Sequence, residues 1–251
     1  MHKPFIKYAY NKFSQNGEDG IIAELCRRLE IPKGWFVEFG AWDGKHLSNT
    51  YTLVSEHGWQ GVYIEGNPEK FKQLLLTKAA FPDKLHALCA MVEATGENTL
   101  DQLLARTPLP SEFDLLSIDI DSLDWQVWNS LSSYRPKIVV IECNTILPPG
   151  VRQLHEPPRH FGASFASLVE LGAQKGYQLV CHTGNCFFVR KELVPRLQLD
   201  PADLADPVRL FNFAKHRREK LIQTGREMLP QTVMNWLFNA SNKWKQLRRK
   251  R

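Results

Sequence analysis

The chain lacks any run of apolar residues long enough to cross a bilayer. Its opening stretch to Asn11 carries only Lys3 and Lys7 as charges, and no apolar core with a small-residue cleavage site follows, so no secretory signal is read there. Cysteine is scarce. The five thiols, Cys26, Cys89, Cys143, Cys181 and Cys186, are odd in number and include no Cys-x-x-Cys pair. That pattern speaks against a disulfide framework and predicts buried, reduced thiols in a cytoplasmic protein. Cys181, His182 and Cys186 are close in sequence, but they fall in a predicted hairpin and have no evident fourth metal ligand. Internal repeats and low-complexity linkers are also missing.

Acid is absent where base is concentrated. Lys243, Lys245, Arg248, Arg249, Lys250 and Arg251 supply six positive charges in the last nine residues, against a formal total of +5. Taking those six from +5 leaves the body at −1, which excludes a basic nucleic-acid-binding domain. Val233, Trp236, Leu237, Ala240, Trp244 and Leu247 recur at helical spacing. The end of the chain, 231–251, is thus predicted as an amphipathic helix with a basic terminus. It either docks on the body or meets an anionic membrane surface or acidic partner. Composition does not determine the oligomeric state.

Short β-rich runs are present at Trp35–Phe39, Gly61–Glu65, Leu85–Val92, Phe113–Ile120, Lys137–Cys143, Tyr177–His182 and Cys186–Arg190. Helical patterns lie between the first six. Ser48-Asn49 starts one that runs through His57, and Pro68 opens one through Thr77. Shorter patterns cover Thr99–Arg106 and Leu123–Leu131. Ser164 caps one that stops at Lys175-Gly176. A further helix is predicted at about 18–30, led in by Ser14-Gln15-Asn16-Gly17-Glu18-Asp19, and another over Asp206–Leu229. Strand and helix alternate as in a parallel sheet covered on both faces. The last two strands are separated only by Thr183-Gly184-Asn185, so they form an antiparallel hairpin. The predicted fold is therefore α/β, a seven-stranded, mostly parallel sheet closed by an antiparallel hairpin. This resembles the topology of class I methyltransferases, which implies a Rossmann-like sheet in the order 3-2-1-4-5-7-6 with strand seven antiparallel. The predicted domains are a sheet domain over 1–190 and a helical extension over 191–251.

The first strand ends in Glu38-Phe39-Gly40-Ala41-Trp42-Asp43-Gly44. Two glycines at a strand-to-helix turn allow close approach of a ligand. Their Gly-x-x-x-Gly spacing is not the Gly-x-Gly-x-x-Gly of a pyrophosphate cradle. An acid there suits a ligand bearing an ammonium or sulfonium charge. Glu65, at the end of the second strand in Ile64-Glu65-Gly66, is placed to accept both hydroxyls of a ribose. The alternative is a turn needed for packing, with Glu65 a solvated strand end.

Val37–Gly44, Ile64-Glu65-Gly66-Asn67-Pro68 and Ser117–Asp124 resemble FkbM-type S-adenosylmethionine-dependent methyltransferases. The resemblance spans about Phe13–Arg190. It implies methyl transfer from S-adenosylmethionine, usually to a hydroxyl oxygen. It places Glu38, Gly40, Ala41 and Gly44 at the methionine side, Glu65 at the ribose, and Asp119 at the rim where the methyl is transferred. With the neighbouring Asp43 and Gly66, these make up the candidate cofactor set. Asp119 and Asp121 are the candidate catalytic residues.

Asp119, Asp121 and Asp124 end the fourth strand, and Glu142 and Asn144 end the fifth. Adjacent parallel strands bring such ends about 5 Å apart. Asp119, Glu142 and Asn144 are therefore candidate Mg²⁺ ligands, and Asp119 is equally a candidate general base. Asp121 or Asp124 could instead cap the following helix. His155, His160 and His182 are lesser candidates as bases. The expected function is O-methylation of a hydroxyl on a small-molecule or glycan acceptor. The alternative is a non-catalytic module that keeps the fold and pocket but acts through a partner.

Overall fold

The computed structural model describes residues 4–120, 122–156 and 162–227. Asp121, His160 and the basic end of the chain lie outside the described residues. Two compact units divide the chain, one running to Asn212 and the other beginning at Phe213.

In the first unit the elements follow as α1 (Glu18–Leu29), β1 (Trp35–Phe39), α2 (Tyr51–His57), β2 (Gln60–Glu65), α3 (Pro68–Ala80), β3 (Leu85–Cys89) and α4 (Leu100–Leu104). Then come β4 (Leu115–Ile118), α5 (Asp124–Ser130), β5 (Ile138–Glu142), α6 (Phe165–Gln174), β6 (Tyr177–His182), β7 (Asn185–Arg190) and α7 (Pro201–Ala205). The strands form one seven-stranded sheet in the order β3-β2-β1-β4-β5-β7-β6. β7 runs antiparallel to both β5 and β6, and the other neighbouring pairs are parallel. This is the Rossmann-like α/β methyltransferase topology expected from the strand pattern and the resemblance to class I methyltransferases. Among the described residues no helix is long and apolar enough to cross a membrane.

Alternation along the strands explains why both faces are covered. Val37, Phe39, Leu116, Ile118, Val139 and Ile141 point into one core with Leu103, Trp128 and Leu168 from α4, α5 and α6. Phe36, Tyr63, Leu115, Ile138 and Val140 point into the other with Ile21, Leu25, Leu53 and Leu74 from α1, α2 and α3. Each such buried side chain contributes about 1.5–3 kcal/mol, so a one-residue slip of a central strand would disturb both cores.

Local signals account for the helix starts. Asn67 caps α3 by accepting the N–H groups of Glu69 and Lys70, and Ser164 caps α6 by accepting that of Ser167. The start of α2 differs from expectation: Thr50 is its first flanking residue, and Ser48 accepts the N–H groups of Thr50 and Tyr51 from outside the helix. The helix expected over Asp206–Leu229 is interrupted. Asp206 caps a short 3₁₀ turn, Pro207–Leu210, and a bend at buried Phe211 follows. The helix of the second unit, α8 (Phe213–Glu227), begins only beyond it and carries an ion pair between Lys215 and Glu219. All five thiols are free, but Cys89 is exposed, because β3 is the edge strand.

Candidate active site

A cavity of about 490 Å³ opens where the ends of β1, β2, β4 and β5 meet. This is the edge at which open α/β sheets bind ligands, on either side of the point where strand order reverses. Glu38, Gly40, Ala41, Glu65, Gly66, Asp119 and Glu142 all line it. Four of these residues are acids, so the interior suits a cationic ligand. Ile64, Ala90, Met91, Val92 and Ile120 add an apolar wall beside Glu65.

The turn after β1 is built by close backbone contacts. Gly40 has φ +75°, and a Cβ there would stand 2.0 Å from the carbonyl oxygen of Asp119. Only glycine meets both conditions without distortion. Gly40 and Ala41 donate their N–H groups to the carbonyl of Ile64, tying the turn to β2. Trp42 follows with φ +49°, a costly conformation for a large side chain. Its N–H is held by the Glu65 carboxylate at 2.7 Å.

Glu65 is buried, with one oxygen accepting from Trp42 and the other from the Asn67 N–H at 2.7 Å. A carboxylate oxygen can accept more than one hydrogen bond, so this anchoring leaves capacity for ligand hydroxyls. Glu38 is committed more heavily. Its carboxylate accepts from the Ser48 hydroxyl at 2.6 Å, the Asn49 N–H at 3.0 Å and the Thr50 hydroxyl at 2.5 Å. Burial pushes its pKa up, and these hydrogen bonds oppose the rise. Its first role is thus to fix residues 48–50, of which Ser48 lines the cavity. Asn49 extends the link by donating to the buried Ser117 hydroxyl on β4 at 3.1 Å.

Asp43 and Gly44 lie outside the cavity lining. Asp43 accepts the N–H groups of Lys45 and His46 at 2.9 and 2.6 Å, and its carbonyl accepts from Thr77. Gly44 has φ +72°, and a Cβ there would stand 2.6 Å from the Leu74 side chain. They shape the turn from behind.

The expected acidic rim is assembled only in part. The β4–β5 register pairs Ile118 with Ile141, so Asp119 and Glu142 leave adjacent strand ends into the same cavity. Asn144 does not join them in the lining. Its side-chain oxygen accepts the Ile146 N–H at 3.2 Å, and its backbone N–H pairs with Ala163. Of the three candidate Mg²⁺ ligands, Asp119 and Glu142 line the cavity, while the Asn144 side-chain oxygen is engaged within its own turn. Asp124 does not cap α5, whose N-cap is Leu123; it is the buried first residue of that helix and accepts the N–H groups of Ile120 and Ser122 in the preceding turn at 3.0 Å each. His155 accepts the Gly162 N–H.

A different trio does converge. Ligand atoms of Cys143, His182 and Cys186 lie within 4.8 Å of one another, all buried. However, His182 Nδ1 accepts the Asn212 N–H at 3.0 Å, which leaves the proton of the neutral ring on Nε2. Burial raises the Cys186 thiol well above its ordinary pKa. Nδ1 of His182 is thus already engaged within the protein.

Sequence reasoning missed several wall residues: Gln15, His46, Leu47, Ser48, Asn67, Lys70 and Met91 also line the cavity. Asn67 and Ser48 carried a readable signal as helix-start residues. Gln15 carried none, because its place depends on contacts distant in sequence.

No protein-family model matches the chain, and no curated protein matches it. Solved structures of similar shape include a provisional caffeoyl-CoA O-methyltransferase from Staphylococcus aureus, at 14% identity and TM-score 0.46, covering 74% of this chain and 87% of that one. A second is M. capricolum TrmK in complex with S-adenosyl-homocysteine, at 9% identity and TM-score 0.45, covering 90% and 95%. A third is a provisional sarcosine dimethylglycine methyltransferase from Galdieria sulphuraria, at 13% identity and TM-score 0.43, covering 63% of this chain. The chain spans 59% of the length of that last structure. The first and third of these are provisional methyltransferases, and the second holds S-adenosyl-homocysteine.

Proposed function

We infer that the chain is an S-adenosylmethionine-dependent methyltransferase acting on a hydroxyl oxygen of a small-molecule or glycan acceptor. The observation that carries the reading is buried Glu65 sharing one cavity with Gly40, Asp119 and Glu142 at the reversal of strand order. Glu65 is placed to accept ribose hydroxyls, and the apolar wall of Ile64, Met91, Val92 and Ile120 accommodates a purine face. When bound, S-adenosylmethionine supplies an electrophilic methyl group on a sulfonium, which the surrounding carboxylates favour electrostatically.

Asp119 carries the proton chemistry in this reading. A hydroxyl held against its carboxylate gives up its proton as the oxygen attacks the methyl carbon. Glu142, on the next strand, orients the acceptor by accepting a second hydroxyl. A polyhydroxylated acceptor matches two adjacent carboxylates. No step is assigned to a cation.

The competing reading is a binding module. Ala90–Val92, the part of the wall after β3, contains no acid to read the adenine amino group. Incubation with S-adenosylmethionine and a panel of polyols and glycosides separates the two. Release of S-adenosylhomocysteine above the acceptor-free rate supports the enzyme. Tight cofactor binding without turnover on any acceptor supports the module.

A further inference from the structure

The segment ahead of α1 belongs to no strand, yet it reaches the cavity. Two buried acids set its course. One oxygen of Asp19 accepts the N–H groups of Lys12, Phe13 and Ser14 at 2.8, 2.9 and 2.8 Å, and the Ser14 hydroxyl at 2.7 Å. Its other oxygen accepts the Thr52 hydroxyl on α2 at 2.6 Å. Glu18 accepts the Asn16 N–H at 2.6 Å and the Asn185 amide at the start of β7 at 3.1 Å. The segment is thereby strung between α2 and β7, on the side of the cavity formed by β1, β4 and β5.

Ser14, Glu18 and Asp19 are buried and use their polar atoms within the protein. Gln15 differs. It is exposed, it lines the cavity, and its side-chain amide makes no hydrogen bond to any described residue. A held backbone that presents one uncommitted amide toward a pocket is an arrangement suited to binding, because little further ordering is needed.

Strand order decides which part of a ligand Gln15 meets. Glu65 on β2 marks the ribose. Ala90–Val92, after β3, lie to one side of it, and Gly40 and Asp119 lie to the other. A nucleoside with its purine toward Met91 directs its 5′ substituent toward Gly40 and the side where Gln15 is tethered. In the methyl donor that substituent ends in an α-carboxylate and an α-ammonium. Glu38, the nearby acid, is already occupied by residues 48–50. An amide is both donor and acceptor and serves either charged group.

We propose that Gln15 binds the amino-acid end of the methyl donor, which makes the N-terminal segment part of the cofactor site. This rests on the methyl-donor reading of the cavity. The full chain is titrated calorimetrically with S-adenosylhomocysteine and with 5′-methylthioadenosine, which lacks the amino-acid end. Gln15→Ala weakens S-adenosylhomocysteine binding by about tenfold, the scale of a hydrogen bond to a charged group. It leaves methylthioadenosine affinity within about twofold and, because Gln15 is exposed, leaves the melting temperature unchanged. Unchanged S-adenosylhomocysteine affinity, or an equal loss for both ligands, overturns the assignment of Gln15 alone. Failure of the unsubstituted protein to bind either ligand overturns the methyl-donor reading and this proposal together.

Discussion

The carboxylate of Glu65 accepts the backbone N–H of Trp42 at 2.7 Å, so the end of β2 holds the turn that follows β1. The group assigned to the ligand is also the group that shapes the pocket. Trp42 needs this support, since its left-handed backbone is disfavoured for a non-glycine residue.

Glu65→Ala is therefore expected to act twice. Loss of hydrogen bonds to a charged group, about 1.5–3 kcal/mol, weakens S-adenosylhomocysteine binding tenfold or more. Leaving the Trp42 and Asn67 N–H groups without their acceptor lowers the melting temperature as well. Glu65→Gln keeps one acceptor oxygen and should fall between. Calorimetry of the folded Glu65→Ala protein showing unchanged affinity would place the ligand elsewhere.

Gly40→Ala combines a positive φ with a Cβ 2.0 Å from the Asp119 carbonyl. The expected cost is about 1–3 kcal/mol. The turn and Asp119 must separate, so cofactor affinity falls too. Gly150→Ala is the control, because nothing lies within 4 Å of a Cβ there. Equal melting temperatures for the two variants would contradict the close approach.

Asp119→Asn should abolish turnover while S-adenosylhomocysteine binding stays within about threefold, the pattern of a group needed for proton transfer and not for affinity. Excess chelator should leave the unsubstituted protein fully active, because the Asn144 side-chain oxygen is already held by the Ile146 N–H and only Asp119 and Glu142 of the three line the cavity. Reversible inactivation by chelator would restore the cation.

Glu24 supplies a pH-dependent contribution to stability. Hydrogen bonds from Arg27 hold its carboxyl down at about 2 against partial burial, with Arg28 adding to the effect. A lowered carboxylate pKa stabilises fully above the ordinary value of 4.5 and is lost as pH falls toward 2. Arg27 is largely exposed and screened, so covered Arg28 is expected to carry most of the effect. Glu24→Gln should lower stability by about 1–2 kcal/mol at pH 7. The gap between the two proteins should close as pH falls from 4.5 toward 2. A gap that persists undiminished at pH 2.5 would show that the contribution is not ionic.

Apolar runs, helix starts and the short link at Thr183-Gly184-Asn185 were enough to read the strands and the closing hairpin, because burial on two faces and tight connections leave few topologies open; the strand order itself came from the resemblance to class I methyltransferases. Glycines at 40 and 44 marked the turn for the same local reason. Glu38, Glu65, Asp119 and Glu142 were readable as acids of the site, but that Asp43 and Asp124 would be withheld from the cavity was not. Asp43, Asp119, Asp124 and Glu142 are alike in type and all stand at strand or helix ends. Only the folded backbone separates them, giving Asp43 and Asp124 to local N–H groups and Asp119 and Glu142 to the cavity. Asn144 is diverted by the Ile146 N–H, two residues away. Gln15 reaches the cavity through Asp19–Thr52 and Glu18–Asn185, contacts 33 and 167 residues apart in the chain. The strands, the helices between them and the closing hairpin follow from local periodicity and short connections. Side-chain assignment at the site depends on which donors the folded backbone brings to each acid: neighbours in the chain for Asp43 and Asp124, and segments distant in sequence for Asp19 and Glu18.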